Sequence, residues 1–335
     1  MDRTLRLAYR IASLKPILPT PALEFVGADG HANLMKLVDY EASLIQKVPL
    51  FCFDNVAEFQ ASHPRLEWDA REDIPNWAPP LGHFFAEWNV PEVWNKGGTI
   101  VREANSSQFG FLVVAARVTE GNRGQLDQWA SFLARLTGFE KSPQLEEVLS
   151  SLLAESGWVL CCSPWWALGK HPLCGAPLWL GLRTLVFVSP AGRFVENYWS
   201  GASLRILEDD TYVNQFTSAL HVLGLGLSFC HCKNVVQAER PEDRGERWHR
   251  RTGIPRLTFR TLDIRPMREV LRTEGRSEEV GIARALHIVR GHFTHYTEER
   301  PLFGRPGLHG DFWMPQHVRG TAERGAVVKD YRVEV

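Results

Sequence analysis

The sequence predicts an α+β fold on three observations. Helical and strand patterns follow one another in mixed order, without a regular strand–helix–strand unit. No period of 20–50 residues recurs, which excludes solenoids and propellers. The C-terminal residues 284–335 read as strands, adding a C-terminal antiparallel β-rich module to a mixed helical and strand N-terminal and middle region. The 335 residues are 44% hydrophobic and 23% charged, ordinary globular usage that excludes wholesale disorder, collagen and coiled coil.

The elements follow in chain order. Leu5, Leu7, Ala8, Ile11, Ala12 and Leu14 predict a short amphipathic helix over 2–14, and Leu34, Leu37, Val38, Ala42 and Leu44 a second over 32–47. Residues 60–99 mix Trp68, Trp77, Trp88 and Trp94 with five prolines. Proline blocks ladder donors and helix interiors, so packed loops with short strands are expected there, FFAEWNV (84–90) foremost. GTIVREA and FGFLVVAARVT, joined by NSSQ, predict a hairpin over 98–119. Helices are expected over 124–138 and from Ser142-Pro143 onward. Strands 178–189 and 193–199 turn at Ala191-Gly192, and Asp209-Asp210 cap a helix over 211–225.

Residues 236–253 are charged and almost without apolar content, which predicts a mobile loop. They divide an α+β region (1–235) from a basic β-rich module (254–335). A strand over 255–263 and a helix over 265–274 come next, then strands over 286–296, 312–319 and 326–334. The last shows clean alternation.

The net charge is −1, which argues against bulk coating of nucleic acid. The charge is uneven: residues 231–335 carry 20 basic against 15 acidic side chains, and residues 1–150 carry 14 against 19. Arginine outnumbers lysine 30 to 8, and its planar fork suits phosphate and carboxylate. The start, MDRTLRLAYR, has charges throughout and no apolar core, so no secretory signal is expected. The apolar stretches 157–169, 175–190 and 219–230 are interrupted or too short for a bilayer, so no membrane association is expected. A cytoplasmic protein with reduced thiols follows from both.

No phosphate-binding, dinucleotide-binding, zincin or nucleophile-elbow motif is present, and no cofactor is expected. LGLGLSF (223–229) reads as a helix end rather than a phosphate cradle. Cys230-His231-Cys232 has C-x-C spacing, not the C-x2–4-C of structural zinc, so no metal is expected. Trp248 and Trp313 are the two tryptophans read as candidate stacking surfaces.

The densest signal lies at the end. Five of the 12 histidines fall between 287 and 317, and two mirrored words recur: Val289-Arg290-Gly291-His292 and His317-Val318-Arg319-Gly320. Strand periodicity places Arg290, His292, Thr294 and Tyr296 on one face, and His317 with Arg319 on one face of another strand. If those strands are neighbours, Arg290, His292, Tyr296, His317 and Arg319 form the candidate site. Arginines can hold an anion, and histidine can move a proton near neutral pH.

The segments SFCHCKNVV (228–236), RGHFTHY (290–296), PLFGR (301–305), FWMPQHVRG (312–320) and VVKDYRV (327–333), with FFAEWN (84–89), resemble a set found in uncharacterised proteins of tailed phages and of bacterial genomes carrying mobile elements. The resemblance implies a phage- or mobile-element-like protein and carries no activity, fold or cofactor. The functional expectation is recognition of a nucleic acid, RNA ahead of DNA, or of another phosphate-bearing ligand, with metal-independent RNA processing as its catalytic extension. The alternative is an interaction or assembly protein in which the Arg/His strands are structural.

Overall fold

The computed structural model describes residues 6–14, 16, 34–62, 69–90, 92–96, 99–103, 107–118, 157–167, 177–180, 182–201, 210–242, 245–264, 285–289, 292–314, 317–319 and 321–327. The fold is α+β. The chain divides into two compact units, residues 1–228 with 237–262, and residues 229–236 with 263–335.

The described helices are α1 (Leu7–Ser13), α2 (34–45), α3 (Asp54–Ser62), α4 (Asp210–His231) and α5 (Glu246–Thr252). The strands up to the end of the first unit are β1 (Leu50–Cys52), β2 (His83–Asn89), β3 (Glu92–Lys96), β4 (Thr99–Glu103), β5 (Gln108–Arg117), β6 (Trp158–Ala167), β7 (Leu178–Trp179), β8 (Leu182–Val188), β9 (Phe194–Gly201), β10 (Val235–Pro241) and β11 (Thr258–Ile264). Nine of them form one sheet in the order β10-β11-β1-β2-β5-β6-β8-β9, with β7 on β6. β1 runs parallel to β11 and β2, and β2 through β9 pair antiparallel.

Alternation along β1 decides what lies on each face of this sheet. Leu50 and Cys52 join a core with Leu7, Ala8 and Ile11 of α1 and Leu34, Val38, Ala42 and Ile45 of α2. Phe51 points the other way, onto Phe84 and Phe53. That second face is covered by α4, where Phe216 meets Phe109 and Trp199. α4 continues through Gly224 and Gly226 to His231, so the expected helix end at LGLGLSF is corrected. A Cβ at Gly224 would collide with the Trp77 indole, and one at Gly226 with the Phe53 ring. Glycine is there because two aromatic rings lie directly on the helix backbone.

Other expectations are corrected for the same reason, that partners come from elsewhere in the chain. GTIVREA and FGFLVVAARVT do not form a hairpin: β4 pairs with β3, and β5 with β2 and β6. The charged stretch 236–253 is not simply a loop, because it carries most of β10 and all of α5. α5 exposes its arginines while Trp248 anchors it edge-on to Tyr9, with ring centroids 5.3 Å apart. The expected helices over 124–138, from Ser142-Pro143, and over 265–274 lie outside the described residues. No described helix is long and apolar enough to cross a membrane.

The second unit carries β12 (Ala285–Val289), β13 (His292–Tyr296), β14 (Gly310–Met314), β15 (His317–Arg319) and β16 (Thr321–Val327). β13 pairs antiparallel with β14, and β12 with β15. Both ladders share one register. Val289 faces His317, and three residues further along each strand His292 faces Met314. The expected strands 286–296 and 312–319 are therefore neighbours, each in two pieces. Of the expected third strand, 326–334, only residues 326 and 327 are described; they belong to β16, which runs parallel to β12, so the expectation of wholly antiparallel pairing is corrected. The chain reverses after β15 but lands on the far edge of β12, in the order β15-β12-β16, so it aligns with β12. Residues 328–335 lie outside the described residues.

Candidate functional site

The hairpin β13–β14 carries apolar packing on both faces. On one face Phe293 and Trp313, opposite each other in register, join Phe229 in an aromatic triad with centroids 4.8 to 5.1 Å apart. On the other, Phe312 and Met314 are buried with Leu302 and Leu308 from the connecting loop, and Tyr296 packs edge-on to Phe312. Asn234 clips β14 in place. Its side-chain amide donates to the Trp313 carbonyl at 2.6 Å, and its carbonyl oxygen accepts from the Trp313 N–H at 2.9 Å. A fully buried Asn used this way replaces a missing strand partner.

The sequence-predicted residues distribute over this framework as follows. His292 is exposed on β13, opposite Met314. Tyr296 is on the same strand, opposite Gly310, with its ring taken into the small core. His317 and Arg319 are on β15, opposite Val289 and His287 of β12. Arg290 lies outside the described residues. The pairing thus brings His287, absent from the predicted set, into register with Arg319, and places His292 and Tyr296 in the sheet of β13 and β14. Trp313 is buried in the aromatic triad and so is not an open stacking surface, whereas Trp248 is half-buried, packed against the core that holds Tyr9.

Sequence reasoning missed several charged groups that only tertiary pairing joins. His295 Nδ1 lies 2.8 Å from Asp311 Oδ1 across the hairpin, and His309 Nε2 lies 3.6 Å from Glu298 Oε1. In the first unit, Arg6 reaches Asp54 at 2.7 Å and Glu242 at 3.5 Å, with Glu87 at 4.0 Å. Glu87 accepts the Ala8 N–H at 2.7 Å. Burial pushes the Glu87 carboxyl up to about 8, outweighing the help of Arg6 and of that N–H. A second buried carboxylate is better matched: Glu41 takes Arg183 at 2.5 Å, Ser163 at 2.8 Å and the Trp179 indole N–H at 2.8 Å. Both Glu41 carboxylate oxygens are occupied and the set reads as structural, although Arg183 Nη1 is buried without a hydrogen-bond partner among the described residues.

Among the described residues no three His, Cys, Asp or Glu side chains are grouped so as to hold a metal ion. Cys161 and Cys162 are free thiols buried in β6, and burial pushes the Cys161 thiol up to about 11. Such protonated thiols are poor metal ligands and poor nucleophiles.

Two exposed features stand out. The first is cationic: Arg240, Arg247, Arg250, Arg251 and Arg256 are exposed on β10, α5 and the segment after it, alongside the acidic Glu239, Glu242 and Glu246. The second is Phe303, in the tip of the β13–β14 loop. It is 56% exposed and holds φ 57°, ψ 22°. For a residue with a Cβ that left-handed conformation costs about 1–2 kcal/mol. No protein-family model, curated protein or solved structure matches this chain.

Proposed function

We propose that this is a cytosolic, phage- or mobile-element-like protein that recognises a nucleic acid, RNA ahead of DNA, by its phosphates. What supports the reading is the exposed arginine surface of β10 and α5. Arg247, Arg250 and Arg251 lie in a helix with no buried residue, fixed by Trp248. Arginines on a rigid element position a phosphate backbone without ordering a loop first. Local charge of this kind reconciles nucleic-acid recognition with a net charge of −1.

The test is RNA and DNA binding at two salt concentrations. The triple variant R247A/R250A/R251A weakens binding, and its slope of log affinity on log salt flattens by about two for single strands. Unchanged affinity and slope refute the reading. The catalytic extension of this reading, metal-independent RNA cleavage, runs through His292 with Arg290, His317 and Arg319. H292Q then keeps binding and loses about 10²–10⁴ in cleavage rate in EDTA.

An assembly protein is the second reading. It is favoured by the structural use of Tyr296 and of the His295–Asp311 pair. Absence of salt-dependent binding to either nucleic acid leaves that reading standing.

A further inference from the structure

We propose that Phe303 is a base-stacking residue for single-stranded RNA, an inference that rests on the RNA-recognition reading above. Two independent anomalies meet at this residue. Among the described residues it is the only non-glycine with positive φ. It is also one of three large hydrophobic residues left exposed among the described residues, with Leu14 and Tyr40. A loop shaped for stability alone would carry Gly or Asn at 303, which keeps the turn and removes both costs.

The mount that holds the ring out is well tied. Leu302 N–H donates to the Leu308 carbonyl at 2.8 Å and Gly304 N–H to that of Pro301 at 2.9 Å. Arg305 N–H donates to the Leu302 carbonyl and Leu308 N–H to that of Arg305, both at 3.2 Å. Leu302 and Leu308 are buried on either side of Phe303 in the chain, so the loop already has its apolar contacts without it. The ring is offered to solvent by a closed turn.

Its neighbours select the partner. The other exposed residues of the loop are Thr297, Glu298, Glu299, Arg300, Gly304, Pro306 and Gly307, with Arg305 half-buried. A protein pocket or a bilayer would be met by a contiguous apolar patch, and this loop has a single ring. One planar ring with Arg300 and Arg305 close by in the chain suits a base stacked between phosphates. Glu298 and Glu299 offset those cations, so the loop contributes stacking rather than net charge.

The experiment is fluorescence anisotropy of the full chain with a labelled oligouridylate of about twelve nucleotides, at about 50 and 200 mM salt. F303A weakens binding about 5- to 100-fold with the salt slope unchanged, while F303Y and F303W retain it. F303G and F303N weaken binding in the same way and raise the thermal midpoint, because the turn is relieved. If wild type binds and F303A stays within about twofold of it, the inference falls and the RNA reading survives. If F303L binds as well as F303Y, the contact is apolar rather than stacked and the inference falls. If wild type binds no RNA, both fall. Loss in F303A of binding to phosphatidylserine–phosphatidylcholine vesicles, with RNA binding intact, overturns it in favour of a membrane contact.

Discussion

Glu87 shows how much one residue's environment changes its chemistry. It sits on β2 with its side chain fully buried, beside Arg6 and the Ala8 N–H. In the folded chain its carboxyl holds a proton up to about pH 8, against an ordinary value of 4.5. Between those limits the folded state binds one proton more than the unfolded chain. Stability therefore falls as pH rises through that window, and the contribution is fully present only below it. E87Q keeps an acceptor for the Ala8 N–H and has nothing to titrate. Its urea midpoint is expected to decline less from pH about 5 to 8 than that of wild type. Equal declines would show that Glu87 is solvated. The half-buried His221, whose titration burial pushes down, acts in the opposite sense and is common to both proteins.

At the scale of elements, α4 is held by what its glycines omit. Gly→Ala in a helix interior usually gains about 1 kcal/mol. Here an added methyl meets Trp77 at position 224 and Phe53 at position 226, and both rings are fully buried. G224A and G226A are each expected to lose about 1–3 kcal/mol in urea unfolding, the usual cost of overpacking. A gain in either would mean that the ring moves aside freely. The hairpin β13–β14 shows the complementary device. Two strands alone are marginal in water, and Asn234 supplies the hydrogen bonds that a third strand would otherwise give.

For the whole molecule, the two units differ in what they bury. Strand β8 is buried at every position and β6 at eight of its ten, whereas β13 has no fully buried residue. Amide exchange of β13 and β14 is expected to be faster than that of β6 and β8, with N234A accelerating β14 further. Equal protection of the two pairs would count against separate units.

Local pattern carried much of this architecture. The four-residue spacing of Leu34, Val38 and Ala42 marked α2, and the turn at Ala191-Gly192 marked the β8–β9 hairpin. Alternation in RGHFTHY and FWMPQHVRG marked strands that do pair. The failures have one cause. β6 is buried on both faces and so has no alternation to read. α5 turns on Trp248 finding Tyr9, more than two hundred residues away in the chain. The candidate site was legible only as strands: His292, His317 and Arg319 fell on them, while the His295–Asp311 pair and the exposed left-handed Phe303 did not announce themselves. By itself the sequence determined the fold class, most element positions and the location of the cations. Tertiary structure decided strand order, the parallel seat of β16 and which rings are offered to solvent. Periodicity records which face of an element is apolar. It does not record which distant segment will cover that face.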